Sequence, residues 1–281
     1  PGIKVFQTFT LGELVVQPHT YDKLVVDLRT IKTFLDETRG IKINKIEQNY
    51  EVIDSLQLLE DFVSKMKDEK RNILSVDCEW AGATYMNGYL RSVQFCWAPG
   101  EAVYVKFYDD KGQWAFDCGF PQIREVLAKL DHVKYIGHNL YADFMWMKNT
   151  LGMDVFEKSV FDTLYAEQVI NEYSDLKLER LALKYTDMGR YDVELLLWKN
   201  QRKAINPKKV VASAEEENFD EVEEKAKEVV NDLEGYGDVP DEILIPYACK
   251  DVDTVMRVWP ILAQKIQEQD LYSYYYDIYL P

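Results

Sequence analysis

Three strand-length apolar runs follow one another with little chain between them, and this feature most limits the folds open to the sequence. Ile73 to Trp80 is too short for a helix and carries carboxylates at its C-terminal end. Leu90 to Trp97 comes next, and Ala102 to Phe107 follows after Pro99-Gly100. Connections this short favour an antiparallel meander, because parallel neighbours need a crossover of a dozen residues or more.

Beyond Pro121 the pattern changes. Gln122 to Leu130 has helical periodicity, Val133 to Gly137 reads as a strand, and Leu140 to about Leu151 as a helix. A short strand is expected near Val155 to Phe161. Further helices are expected over Leu176 to Tyr185 and from about Pro246 to Gln267, where the proline suits a first helical turn. Ahead of the meander, Ser55 to Lys67 reads as an amphipathic helix and Asp68 to Asn72 as a polar loop. Strands followed by alternating helices and strands predict an α/β protein, a mixed sheet covered by helices.

The expected division is an N-terminal appendage of unassigned role over 1–47 and one domain over 48–281. The appendage contains β-like runs at Leu14-Val15-Val16 and Leu24-Val25-Val26, then a helical stretch from Ile31 to Glu37. A charged insertion interrupts the domain at about 199–242, basic from Lys199 to Lys209 and acidic from Glu215 to Glu242. It reads as a solvated segment, partly helical from Phe219 to Leu233. The sharper alternative has its basic half touching a phosphate backbone.

With 281 residues, 47% of them hydrophobic, the chain can bury a sizeable core. No apolar run of about 18 residues and no signal-peptide layout occurs, which leads us to expect a soluble intracellular protein with no membrane partner. Four cysteines lack C-x-x-C spacing, so neither a zinc site nor a disulfide framework is suggested. The net charge of −16 tells against tight duplex binding through a broad basic face. It leaves open an enzyme whose acidic cleft is neutralised by divalent cations, since bound ions invert the local charge logic.

Such an enzyme needs acids converging on one point, because hard cations that activate water and relieve phosphate charge prefer carboxylate oxygen. Asp77 and Glu79 are two apart on a strand and leave the same face of the sheet. Asp143 lies where Gly137-His138-Asn139-Leu140 turns from strand to helix. Asn139, four residues earlier, shares its face if that helix begins early, and otherwise reads as a helix cap. Tyr247 and Asp251 are four apart at the start of a late helix, which sets a phenol beside a carboxylate. Each pair is weak alone, but together they place acids on elements of the types needed to aim them at one cleft.

On these motifs the chain resembles the proofreading exonucleases of the DEDD superfamily, tyrosine subtype, as carried by family A (DNA polymerase I-like) polymerases. The resemblance rests on Val76-Asp77-Cys78-Glu79, Gly137 to Asp143, Phe161-Asp162-Thr163 and Tyr247 to Asp253, and covers roughly residues 48 to 281. Leu178 to Tyr185 looks like that family's L-x-x-L-A helix. The resemblance implies an RNase H-like fold, two Mg²⁺ or Mn²⁺ ions, and the 3′ end of single-stranded DNA as substrate. It further implies that Asp77, Glu79 and Asp251 hold the ion that activates water, and that Asp77 and Asp143 hold the ion at the leaving 3′ oxygen. Tyr247 would orient the attacking water and Asn139 would steady the terminal nucleotide.

The opening at Pro1-Gly2 and the close at Leu280-Pro281 suggest a portion excised from a longer polymerase of bacterial or phage-infected cytoplasm, although no polymerase motif is present. Two positions depart from the family pattern. Trp80 stands where a small polar residue is frequent in the polymerase family, the resulting D-x-E-W being similar to helicase-linked exonucleases, and Ala142 replaces an aromatic or bulky residue. His138 and His132 lie in the wrong element for the histidine subtype. Two other readings share the fold: an RNase D-like exoribonuclease, and a non-catalytic module that binds nucleic acid or protein.

Overall fold

A computed structural model of the protein describes residues 5–6, 8–17, 20–39, 46–204 and 235–280. Among them, six strands form one sheet: β1 (Asn49–Ile53), β2 (Ile73–Ala81), β3 (Tyr89–Ala98), β4 (Glu101–Lys106), β5 (Lys134–Gly137) and β6 (Ser159–Asp162). Their spatial order is β1-β4-β3-β2-β5-β6. β2, β3 and β4 are the expected antiparallel meander. β5 and β6 add in parallel beside β2, and β1 pairs in parallel with β4 at the far edge. β1 escaped the sequence reading because it lies at an edge, where only Ile53 of its five residues is buried.

The helices are α1 (Leu11–Val16), α2 (Tyr21–Thr38), α3 (Leu56–Asp68), α4 (Phe120–Leu127), α5 (Tyr141–Trp146), α6 (Thr163–Ile170), α7 (Leu178–Tyr185), α8 (Val193–Ala204) and α9 (Asp241–Glu268). None of those described is long and apolar enough to cross a membrane. On one face of the sheet α3, α4 and α5 supply Phe62, Ile123 and Phe144 to a core that includes Val76, Val93 and Phe95. On the other, α6, α7 and α9 supply Ala166, Leu181 and Val252 against Cys96, Tyr104 and Phe161. The alternation of a strand divides β2 between these cores. Leu74, Val76 and Cys78 enter the first, which turns Ser75, Asp77 and Glu79 toward α9.

Several local expectations need correction. The β-like runs Leu14-Val16 and Leu24-Val26 lie in α1 and α2, not in strands. In α1 a capping box outweighs the β preference of the valines: Glu13 N donates to the Thr10 hydroxyl, and Thr10 N to the Glu13 carboxylate. Pro246 falls inside α9 and not in its first turn. The helix starts earlier, with Pro240 at the N-cap and Asp241 and Glu242 favoured in the first turn by the helix dipole. The helix expected over 140–151 divides into α5 and a wider π turn, Met147–Leu151, ended by Gly152 at φ 68°. The strand near Val155 to Phe161 begins only at Ser159, after a 3₁₀ turn at Phe156–Lys158. The expected helix at Phe219 to Leu233 lies outside the described residues.

Candidate active site

The site grows from the α9-facing side of β2. The Ser75 hydroxyl donates to the Val252 carbonyl at 2.7 Å, pinning α9 across the strand beside Asp251. Carboxylate oxygens of Asp77, Glu79 and Asp251 consequently lie within 4.8 Å of one another. The ladder slips by one residue between Glu79 and Trp80. A bulge of this kind re-aims side chains at a strand end. Asp143 arrives from α5 and accepts a hydrogen bond from Cys78 N at 2.9 Å, between the two acids of β2. Thus the four predicted acids meet.

Asp143 depends on the turn before it. Asn139 has a left-handed backbone, φ 60°. Asp162 holds this turn, accepting from Asn139 N at 3.0 Å, Leu140 N at 2.9 Å and Leu164 N at 2.9 Å. A Cβ at Gly137 would crowd the Leu140 side chain at 2.1 Å and the Val76 carbonyl at 3.1 Å, so the turn packs closely there. Helix α5 starts at Tyr141 with Leu140 at the N-cap, so Asn139 neither caps it nor shares its face with Asp143. The left-handed residue has ended the helical path before the helix begins. Asn139 is instead exposed. His138 is engaged by the Thr163 hydroxyl at 2.9 Å, and burial pushes its pKa down to about 4, which keeps it neutral.

Three further side chains reach the site without any spacing signal in the sequence. Tyr191, between α7 and α8, donates to Asp251 Oδ1 at 2.5 Å. Tyr236 stacks on Tyr247 with ring centroids 6.3 Å apart. Lys199 of α8 lies 4.0 Å over the Tyr236 ring, and its charge acts on Glu79. Both ends of the charged segment therefore contact the site. Asp253, two residues after Asp251 and so on the opposite face of α9, is fully buried elsewhere. It accepts two bonds from Arg257, at 2.8 and 2.7 Å, and others from Tyr50 and Gly100 N.

Burial lifts all four site carboxyls, and each adds to its neighbours. Desolvation raises Asp77, with the Asp143 charge next. Glu79 is raised by desolvation, then by Asp77 and Asp251. Asp251 is raised by desolvation and Asp77, against the opposing hydroxyls of Tyr191 and Tyr247. Asp143 is pushed up to about 8 by burial, despite its bond from Cys78 N. Glu79 Oε2 is buried and has no hydrogen-bond partner among the described residues. An orphaned carboxylate oxygen inside a cluster of half-buried and buried acids fits a divalent cation, whose positive charge and demand for oxygen ligands answer both features.

A mixed sheet of this order, with acids at the end of its central strand β2, is an RNase H-like α/β fold. The chain belongs to the 3′-5′ exonuclease family of the DNA polymerase A type, whose model matches residues 50–267. It is 25% identical to a DNA polymerase of Escherichia phage T5 over 240 residues, 83% of this chain and 25% of that protein. The chain thus spans about a quarter of that relative's length. Among solved structures, the catalytic core of RRP6 from Trypanosoma brucei superposes with TM-score 0.50 and 13% identity, covering 84% of this chain and 52% of that one. NrnC of Brucella melitensis bound to pGG gives 0.49 at 15% identity, over 80% and 84% of the two chains.

Proposed function

We propose that the chain hydrolyses the terminal phosphodiester bond at the 3′ end of single-stranded DNA, releasing nucleoside 5′-monophosphates one at a time, using two Mg²⁺ or Mn²⁺ ions, as the proofreading part of a longer family A polymerase. Residues 48–281 form the exonuclease domain in this reading, with 1–47 as an appendage. The convergence of Asp77, Glu79 and Asp251 within 4.8 Å, with Asp143 bonded between the first two, carries it. Kinship with a phage DNA polymerase supports DNA as the substrate and a polymerase as the linked partner.

Asp77, Glu79 and Asp251 would hold one ion, and Asp77 with Asp143 the other. Such ions supply an acidified water and an electrostatic sink for the leaving 3′ oxygen. Tyr247 lies one turn before Asp251 on the same face of α9 and orients the attacking water by hydrogen bond. Asn139, exposed in the turn that precedes α5, steadies the terminal nucleotide.

The test is digestion of 5′-labelled single-stranded DNA and matched RNA with Mg²⁺ or Mn²⁺. Stepwise shortening of the DNA, with release of nucleoside 5′-monophosphates, is expected. Faster cleavage of the RNA would transfer the reading to an exoribonuclease, and no cleavage of either with either metal would overturn it.

A further inference from the structure

We infer that Tyr191 is a positioning residue of the metal centre: its hydroxyl fixes the direction in which the Asp251 carboxylate faces Asp77 and Glu79, and so sets the affinity of the site for divalent cations. This role rests on the reading above that Asp251 holds a metal ion.

Tyr191 comes from the link between α7 and α8, which lies along α9. Three contacts tie the two together, at helix positions three residues apart and so on neighbouring turns of one side. The Arg257 guanidinium lies 3.4 Å from Asp187, the Thr254 hydroxyl donates to Met188 Sδ at 3.2 Å, and the Tyr191 hydroxyl donates to Asp251 Oδ1 at 2.5 Å. The link therefore runs antiparallel to the helix and meets the acid cluster near its own end. On either side of Tyr191, Arg190 and Asp192 clasp each other through two bonds, at 2.7 and 2.8 Å. The Asp192 carbonyl accepts from Leu196 N at 2.9 Å and so opens α8. Held from both sides, Tyr191 packs its buried ring against that of Tyr247 with centroids 6.0 Å apart.

The chemistry of the pair fixes which group donates. A phenol keeps its proton up to about pH 10. A carboxylate that ligates a cation is ionised and can only accept. One oxygen bonded to the phenol stops the Asp251 carboxylate from turning about its Cβ–Cγ bond. The group stays turned toward Asp77 and Glu79, with an oxygen of each of the three within 4.8 Å of the others. Groups that orient a metal ligand in this way contribute about 10- to 100-fold in metal affinity.

Calorimetric titration of the metal-free full chain with Mn²⁺ tests this, together with hydrolysis measured across a Mn²⁺ series on whichever of DNA or RNA the wild type degrades. Tyr191→Phe keeps the ring and its packing and removes only the donor. Mn²⁺ affinity should fall about 10-fold or more, and half-maximal activity should need correspondingly more Mn²⁺, while KM for the polymer at saturating Mn²⁺ stays as in wild type. In an Asp251→Ala background the same change should have no further effect on Mn²⁺ affinity, since it acts through that carboxylate. An equal further loss in that background, or a raised KM with unchanged Mn²⁺ affinity, would overturn the inference. If the wild type takes up Mn²⁺ and Tyr191→Phe matches it, this inference alone fails. A wild type that takes up no Mn²⁺ removes the metal-site reading beneath it as well.

Discussion

Two aspartates of α9 stand two residues apart and face opposite environments, and the chemistry of each residue follows from its neighbours. Asp251 points into the acid cluster, where the nearby charges share its sign. Asp253 points away into a buried pair with Arg257, whose side chain is 8% exposed. Asp253→Ala leaves that guanidinium with only the longer pair to Asp187 at 3.4 Å, whose side chain is 45% exposed. It should cost about 3 kcal/mol or more in a denaturant titration. Substitution in the cluster should do the reverse. Asp77 is the charged neighbour acting most strongly on both Glu79 and Asp251. Asp77→Ala relieves repulsion, so the metal-free melting temperature should not fall, while hydrolysis drops about 10³-fold or more with a ligand shared by both ions gone. Tyr247→Phe loses one oriented hydrogen bond and should slow single-turnover cleavage only about 10-fold. An Asp77→Ala chain as active as wild type would refute the assignment of the cluster.

The turn between β5 and α5 is the element on which the second motif depends, and its support comes from Asp162, which is not one of the four clustered acids. Asp162 caps α6 through Leu164 N while holding Asn139 N and Leu140 N. Asp162→Ala strands two backbone donors around a left-handed residue. It should destabilise the fold by roughly 2–4 kcal/mol in thermal or denaturant unfolding and lower activity through displacement of Asp143. Full activity with unchanged stability would show that the turn holds itself. Elements of this kind were readable where side-chain spacing matches the period of the backbone. Asp77 and Glu79 match the two-residue repeat of β2, Tyr247 and Asp251 the four-residue spacing of α9, and Leu178 to Tyr185 is α7 itself. Legibility failed where tertiary contacts decide. β1 is a polar edge strand, the valines of α1 yield to a cap, and Asn139 leaves the helical path through its positive φ. Tyr191, Tyr236 and Lys199 stand at no fixed spacing from the acids, and only the packing of α8 and the return at Gly235 brings them in.

At the scale of the whole molecule, the raised carboxyls tie folding to both protons and metal. In the unfolded chain Asp and Glu titrate near 4. Folded, Asp77, Glu79 and Asp251 hold protons above that range, and Asp143 does so up to about 8. Between these limits the native state binds more protons than the unfolded state, so stability without metal is full below about pH 4 and declines as pH rises through the folded values. Each proton retained only by the native state contributes a slope of about 1.4 kcal/mol per pH unit. Divalent cations act in the opposite sense, since they bind the deprotonated set and stabilise the native state in proportion to the logarithm of their excess over Kd. The difference in melting temperature between Mn²⁺-loaded and chelator-treated protein should therefore widen as the buffer is raised from about pH 6 to about pH 8. Asp77→Ala should nearly abolish that widening, because the set then lacks its common member. A difference that stays constant or narrows toward alkaline pH would mean that the acids are ionised before the metal arrives, and the burial of Glu79, Asp143 and Asp251 would then need some other compensating charge.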